Sequence, residues 1–163
     1  MGVGLVRIDN RLVHGQVVEA WVPFLKSTRI VVADNEAAGD PLKRSIIELA
    51  APAGVRLDVV TLEEVVRMFR SHEIDQSGVL VLFAGPCQAY DAFVAGFTFD
   101  RLNVGNVHYA EGKTRMTPSV CVDRGELDVL GAMARAGVRV EIQAVPRDAA
   151  RPFFPPDEPP HRS

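Results

Sequence analysis

The sequence predicts a single α/β domain built on an open, mostly parallel β-sheet with helices on both faces. Short runs of β-branched and other apolar residues alternate along the chain with longer stretches of helical spacing. The connections between these elements are short, which is typical of crossover units that place parallel strands side by side. The length of 163 residues and the hydrophobic content of 47% suit one compact domain with its own core.

The first half of the chain contains three predicted strands and three predicted helices. The strands are residues 5–8, 29–33 and 55–60. The helices are residues 16–25, 40–51 and a segment that starts at residue 61. Asp40 followed by Pro41 has the cap and first-turn residues of a helix. Thr61 and Glu64 form a capping box, so that helix is expected to bury Val65, Val66 and Phe69.

The second half continues the same alternation. The predicted strands are residues 79–83, 101–105, 119–122 and 138–145, of which 79–83 is the most apolar and is expected to be central. The predicted helices are residues 86–94 and 124–136. Asp123 and Glu126 form a second capping box, and Gly96 and Gly137 provide the helix ends. This pattern gives one domain over residues 1–145.

Residues 146–163 differ in composition from the rest of the chain, because six prolines occur in a short polar segment. We expect this Pro-rich C-terminal tail to be extended and mobile. Phe153 and Phe154 are its apolar residues. They are interpreted as a pair that docks back onto the domain, with a weak partner-binding motif as the alternative.

Charge and hydropathy exclude several classes of protein. The net charge of −3 and scattered basic residues do not predict a nucleic-acid-binding surface. No uncharged stretch approaches the roughly 20 residues of a membrane helix, and no signal peptide is recognisable. Cys87 and Cys121 are expected to be reduced, buried thiols. We therefore expect a soluble, cytoplasmic protein.

The loop of residues 9–16, at the carboxyl end of the first strand, carries the residues of greatest chemical interest. Ligand sites in such sheets lie at these strand ends. A neutral imidazole such as that of His14 can accept a phosphoryl group. Arg11 could neutralise phosphoryl oxygens, and the amides of Gly15, Gln16 and Val17 would face an anion at a helix N-terminus. Asp9 could orient either Arg11 or the imidazole. From this spacing alone, a polar cap or a satisfied loop residue is the more common situation for such a histidine.

Two further residues are candidates for the rim of this site. Asp34 ends the second strand and is interpreted either as a rim residue or as a cap for the next turn. His108 follows the strand at 101–105 and could line the same face, although a surface loop histidine is the more common situation. No histidine pair has the spacing of helical metal ligands, so no metal site is predicted.

The segment from Arg7 to Val17, RIDNRLVHGQV, closely resembles the R-I-D-x-R-L-I-H-G-Q-V signature of the mannose/sorbose-family phosphotransferase system IIB components. Residues 30–38, residues 103–106 and residues 111–114 resemble other segments of the same family. The resemblance covers about residues 3–145, nearly everything but the tail, and agrees with the predicted fold class.

The resemblance implies a function in which His14 accepts a phosphoryl group from phosphohistidine of a IIA partner. His14 would then pass the group to a mannose- or sorbose-like sugar during uptake through IIC and IID membrane components. The chain would be a phosphohistidine–sugar phosphotransferase, at most peripheral to the membrane through IIC/IID. Arg11 would steady the phosphoryl group, with Asp9 in support. No metal or dissociable cofactor is implied, only the covalent phosphoryl group, and homodimers are common in the family.

The sequence departs from the family pattern in three respects. Asn10 occupies a position where an acidic residue is common, the end is Pro-rich, and no IIA domain precedes the motif, so the donor is expected to be a separate chain. Two alternatives remain open at this point. The relay could end at His14 and regulate a partner through its phosphorylation state. Alternatively, the loop could bind a free anion without covalent chemistry.

Overall fold

The computed structural model describes residues 2–156, which form a seven-stranded sheet and a separate two-stranded sheet. The strand order of the larger sheet is β3-β2-β4-β1-β5-β8-β9, in which only β9 is antiparallel to its neighbour. Its strands are β1 Leu5–Asp9, β2 Arg29–Ala33, β3 Arg56–Val60, β4 Val79–Phe83, β5 Arg101–Asn106, β8 Arg139–Ile142 and β9 Arg151–Pro152. The smaller sheet pairs β6 Thr114–Thr117 with β7 Val120–Val122.

Helices cover both faces of the larger sheet. The first helix, α1, is π-helical over Val17–Trp21 and continues as an α-helical turn over Val22–Leu25. The others are α2 Asn35–Gly39, α3 Pro41–Leu49, α4 Leu62–Arg70, α5 Pro86–Ala95 and α6 Arg124–Arg135. One apolar core lies between the sheet and α1–α3, and a larger one lies between the sheet and α4–α6. The predicted fold class is therefore the observed one.

The local signals in the sequence locate most elements. Strands β2 and β4 have their predicted bounds, and β4 lies between β2 and β1 with all five residues buried. Both capping boxes are formed, at the starts of α4 and α6. In α4, Val65 and Val66 are buried as predicted, but Met68 takes the place expected for Phe69, which is only partly buried.

Three elements were not predicted, namely α2, β6 and β9. The α2 segment is a five-residue helix too short to show a periodic pattern. Strand β6 is mostly exposed and lacks a buried alternate face. Strand β9 contains Pro152, which favours a loop in sequence-based reasoning but is tolerated at the edge of a sheet.

The expectation of a mobile tail is wrong for its middle part. Strand β9 pairs with β8, and the Phe153 side chain is buried against the larger core while Phe154 is exposed. The predicted docking of the pair is thus confirmed for Phe153, which is buried, and wrong for Phe154, which is exposed. Residues 157–163 of the predicted tail, including His161, lie outside the described residues.

The π-helical turn in α1 differs from the regular helix predicted over residues 16–25. The Val22 amide donates to the Val17 carbonyl, five residues back. Pro23 follows and has no amide hydrogen, so it could not complete the α-helical bond to the Glu19 carbonyl in any case. The wider turn therefore costs no hydrogen bond at that position.

Candidate functional site

The candidate site lies at the carboxyl end of β1, where this strand is flanked by β4 and β5. The connection from β1 leads to α1 on one face of the sheet, whereas the chain from β5 leads through β6 and β7 to α6 on the other. Neighbouring strands whose connections leave to opposite faces open a crevice at their carboxyl ends, which is the usual ligand position in this fold class.

Two apolar residues hold the loop after β1 in place. Leu12 and Val13 are buried in the core beneath α1, and Leu12 has a left-handed backbone with φ of 57°. The Leu12 amide donates to the Asp9 carbonyl at 3.0 Å, and the Arg11 amide donates to Asp9 Oδ1 at 3.0 Å. The tight turn, in an uncommon conformation for leucine, leaves His14 half-buried at the surface.

His14 and Asp9 form the central contact of the site. His14 Nε2 lies 2.8 Å from Asp9 Oδ2, and the Asp9 side chain is completely buried. Burial raises the pKa of Asp9, but hydrogen bonds from His14 and Asn106 and the charge of Arg7 outweigh it, so the net pKa is below 3.8. The ionised carboxylate can only accept a hydrogen bond, so in the neutral form of the imidazole Nε2 carries the hydrogen and Nδ1 carries the lone pair.

Arg7 is fully buried beside Asp9, and its guanidinium makes a dense set of contacts. One terminal nitrogen donates to Asn103 Oδ1 and to the Gln143 carbonyl, the latter at 2.9 Å. The other donates to Asp9 Oδ2 at 3.3 Å and to the Ala144 carbonyl at 2.9 Å. Burial lowers the pKa of Arg7 to about 10, although Asp9 acts in the opposite direction, so the group stays protonated at neutral pH.

A β-bulge aligns β5 with this cluster. Ile8 pairs with Val104 and Asp9 pairs with Asn106, so Gly105 is the extra residue on β5. Asn106 Nδ2 donates to Asp9 Oδ2 at 2.9 Å and to Gln16 Oε1 at 2.7 Å. Gln16 Oε1 also accepts from Arg7 at 3.1 Å. The loop, β1, β5 and the start of α1 are thereby connected through polar side chains.

The residues predicted to contact an anion have different surroundings. Arg11 and Gly15 are exposed. The Val18 amide donates to the His14 carbonyl at 3.0 Å, so the amides of Gly15, Gln16 and Val17 precede the first helical hydrogen bond. Asp9 is a buried carboxylate that contacts the imidazole, one of the two partners expected for it. Gln16 contributes its side chain to the buried cluster as well as its amide.

The two rim candidates do not join this cluster through hydrogen bonds. Asp34 is buried, and its carboxylate caps α2 by accepting from the Ala37 amide at 3.0 Å, which is the cap interpretation. His108 is exposed, and its carbonyl accepts from Lys113 Nζ at 3.3 Å. Within residues 2–156, no hydrogen bond joins the His108 imidazole to the His14 loop.

Sequence reasoning did not assign a role to four residues of this cluster. Arg7 and Asn106 contact Asp9, and Asn103 and Gln143 contact Arg7. A signal was present for two of them, because Arg7 and Asn103 are polar residues inside otherwise apolar strands. A buried polar side chain requires hydrogen-bond partners, and a charged one requires a counter-charge. For Gln143, no local pattern distinguishes it from a residue at the end of a strand.

The arrangement can perform nucleophilic chemistry at one ring nitrogen of His14. A buried, ionised carboxylate fixes the opposite nitrogen, and exposed cationic and amide donors follow in the same loop. No group of three or more potential metal ligands occurs within the described residues. A search of the same part of the chain for a helix that could cross a bilayer finds none.

Comparisons with known proteins show the family to which the chain is similar. The family model described as PTS system sorbose subfamily IIB component matches residues 3–155, which include β9 and Phe153. The N-acetylgalactosamine-specific phosphotransferase enzyme IIB component 2 of Escherichia coli (strain K12) is 33% identical over 150 residues, covering 92% of this chain and 95% of that protein.

Two further relatives show the extent of the similarity. The PTS system mannose-specific EIIAB component of Escherichia coli (strain K12) is 30% identical over 148 residues, which are 91% of this chain but 46% of that longer protein. The crystal structure of the PTS system N-acetylgalactosamine-specific IIB component 1 from Escherichia coli superimposes with a TM-score of 0.85 at 29% identity. That superposition covers 93% of this chain and 99% of the other.

Proposed function

The chain belongs to the sorbose subfamily of phosphotransferase-system IIB components, and we propose that His14 is its phosphoryl acceptor. One observation carries the proposal, namely the 2.8 Å contact between His14 Nε2 and the buried Asp9 carboxylate. This contact leaves Nδ1 as the nucleophilic nitrogen of a half-buried ring, at the strand end where this fold class binds ligands.

In the proposed reaction, the lone pair on His14 Nδ1 attacks the phosphorus of a donor phosphohistidine. The new nitrogen–phosphorus bond forms as the bond to the donor breaks, and the donor imidazole leaves with the electron pair. The His14 ring becomes positively charged because Nε2 keeps its hydrogen. The Asp9 carboxylate, 2.8 Å from Nε2, stabilises that charge, as a carboxylate does for the histidine of a catalytic triad.

Arg11 and the amides at the start of α1 are proposed to hold the phosphoryl oxygens. Arg11 is exposed and two residues from the Asp9 turn, so its guanidinium can approach a group on His14. The amides of Gly15, Gln16 and Val17 supply donors that need no side chain. Phosphoryl transfer depends mainly on such positioning and charge neutralisation. We therefore expect the reaction to need no metal from this chain.

The donor is proposed to be a IIA component and the final acceptor a mannose- or sorbose-like sugar, or an N-acetylhexosamine. IIB components work with IIA and IIC partners, and the similar proteins are named for N-acetylgalactosamine and mannose. We further propose that this chain is cytoplasmic and reaches the membrane through IIC and IID membrane components. A homodimer is compatible with this role but is not required for the chemistry at His14.

The test is reconstitution with phosphoenolpyruvate, enzyme I, the histidine phosphocarrier and a mannose-family IIA component, followed by intact-mass analysis. We expect one acid-labile phosphoryl adduct on the wild-type chain and none on His14→Ala. The exposed His108→Ala variant is the matched control and should be labelled like the wild type. Nitrogen-specific analysis should locate the phosphoryl group at Nδ1.

Labelling of His14→Ala at a nitrogen would contradict the assignment. Failure to label the wild-type chain, with a IIA component shown to be phosphorylated, would contradict the carrier role for that donor. Adding membranes that contain IIC and IID components together with sugar should then discharge the adduct. Retention of the adduct under those conditions would mean that the relay ends at His14.

A further inference from the structure

We propose that Arg7, in a space left open by the absent side chain of Gly105, is a positioning residue for the His14 reaction. It does not touch the phosphoryl group. It holds the Asp9 carboxylate charged and in place, so that Asp9 fixes the hydrogen on His14 Nε2 and leaves Nδ1 free to react. This inference rests on the proposed function of His14.

The first step of the argument is the placement of Arg7 and Asp9 on one face of β1. Residues two apart on a strand share a face, and here that face is covered by α1. Asp9 is fully buried and Arg7 lies 3.3 Å away from it, also fully buried. The Arg7 guanidinium lies 4.9 Å from the centre of the Trp21 ring. A buried carboxylate is stable as an anion only with such a partner.

The second step is the space occupied by the guanidinium. A Cβ atom at position 105 would lie 2.0 Å from Arg7 Cζ and 2.0 Å from one of its terminal nitrogens. No such approach is sterically possible, so any side chain at this position would displace the guanidinium. The backbone of Gly105 does not have a positive φ. Glycine is therefore needed at this bulge for space, not for its backbone conformation.

The third step is the rigidity of the arrangement. The carbonyl groups of Gln143 and Ala144 accept from Arg7 at 2.9 Å each, which fixes the guanidinium from the far side. The groups that face Asp9 are Arg7, the His14 imidazole, the Asn106 amide and the Arg11 backbone amide. Arg7 is the one permanent cation that contacts this carboxylate among the described residues.

The consequence concerns the tautomer of His14. Loss of the Arg7 charge would remove one of the interactions that lower the pKa of the buried Asp9, and would so increase the fraction of protonated Asp9, whose hydroxyl can donate to Nε2. The ring would then carry its hydrogen on Nδ1, which would lose its lone pair for the attack. Because Arg7 and Gly105 are buried, neither can contact the donor protein. Their loss should thus lower kcat for transfer and leave KM for the phosphorylated IIA component unchanged.

The experiment is a double-mutant cycle with Arg7→Met and Gly105→Ala, using rapid-quench measurement of transfer from phosphorylated IIA. Each single variant should lower kcat roughly 10- to 100-fold, the usual effect of removing a residue that orients a reacting group. The kcat of the double variant should be no lower than that of Arg7→Met alone, because Gly105 acts through Arg7. Arg7→Lys should lose less than Arg7→Met. Gly39→Ala, where a Cβ atom meets nothing within 4 Å, is the matched control and should transfer normally.

The second measurement is ¹⁵N NMR of the His14 ring in the unphosphorylated protein, at a pH where the ring is neutral. The wild-type ring should carry its hydrogen on Nε2, and Gly105→Ala should shift the population toward hydrogen on Nδ1. A wild-type ring with hydrogen on Nδ1 would overturn the inference even if a variant fails to fold. The inference would also be overturned if the two reductions in kcat add in the double variant, or if the variants change KM and leave kcat unchanged.

The two proposals fail in distinguishable ways. If the wild-type chain is never phosphorylated, the proposed function fails, whereas the ring tautomer can still be measured. If the chain is phosphorylated on His14 but the tautomer and kcat do not respond to Gly105→Ala, only the positioning role of Arg7 fails.

Discussion

At the scale of single residues, the site depends on a turn that returns the chain over Asp9. His14 is five positions after Asp9, and the buried side chains of Leu12 and Val13 hold the turn so that the imidazole meets the carboxylate. Arg11, which lies between Asp9 and His14 in the sequence, is exposed to solvent. One short loop thus separates a buried orienting charge from an exposed charge that can meet phosphoryl oxygens.

The exposed position of Arg11 leads to a prediction for transfer. Arg11→Ala should slow phosphoryl transfer on the order of 10-fold to 100-fold, since one donor to the developing charge is lost while the nucleophile remains. Arg11→Lys should recover part of the rate. The measurement is the single-turnover rate of transfer from the IIA component. Arg115→Ala, another exposed arginine, is the control. An Arg11→Ala rate equal to that of the control would remove Arg11 from the site.

At the scale of elements, the edge of the sheet beyond β8 is covered by strand β9, which belongs to the segment that the sequence predicted to be a tail. Strand β9 has only two residues and includes Pro152, so its hydrogen bonds contribute little by themselves. Phe153 supplies the anchor, because its ring is 6% exposed and packs on the core that α4, α5 and α6 cover. This segment also follows Gln143 and Ala144, whose carbonyls contact Arg7.

The two adjacent phenylalanines allow a matched test of this anchor. Phe153→Ala should lower the free energy of unfolding by about 3 kcal/mol, the cost of removing a buried aromatic ring. Phe154→Ala should change it by less than about 0.5 kcal/mol, because the Phe154 ring is 55% exposed. Urea denaturation followed by circular dichroism measures both. Equal effects of the two substitutions would mean that β9 is not anchored by Phe153.

At the scale of the whole molecule, the polar cluster connects distant parts of the chain through one buried charge pair. Arg7 bonds to the carbonyl of a residue 136 positions away, and Asp9 accepts from Asn106, 97 positions away. These contacts join β1, β5 and the segment after β8, which are neighbours only once the sheet has formed. Stability of the fold and charge state of the site are therefore linked.

This link predicts the pH dependence of stability. The pKa of Asp9 is lower in the folded state than its ordinary value of 3.8, so its contribution is fully present above pH 3.8 and is lost as pH falls through the folded pKa. Asp9→Asn should cost about 3 kcal/mol near neutral pH, since Arg7 would lose its counter-charge. The difference in free energy of unfolding between Asp9→Asn and the wild type should become smaller below pH 3.8.

Urea denaturation of wild type and Asp9→Asn between pH 3 and pH 7 measures this gap. Asp128→Asn is the control, because Asp128 is 66% exposed in a surface ion pair and should contribute little at any pH. A gap between wild type and Asp9→Asn that stays constant down to pH 3 would show that Asp9 is not a charged group in the folded protein.

Much of the fold and the centre of the site were predictable from the sequence. Strands β2 and β4, the capping boxes at Thr61 and Asp123, and the His14 loop were all located, because periodicity and caps act over a few neighbouring residues. The family resemblance around residues 7–17 is borne out by the family match. These features need no knowledge of which strands are neighbours.

The tertiary structure alone decided how the site is supported. The pairing of Asp9 with Asn106, and the space for the Arg7 guanidinium beside Gly105, depend on a bulge in the β1–β5 register that no local sequence pattern predicts. Whether Asp34 is a cap or a rim residue, and which of the two adjacent phenylalanines is buried, became clear only when their surroundings were known. The physical reason is that strand order and register set contacts across about 100 residues of chain, while propensity acts within a few.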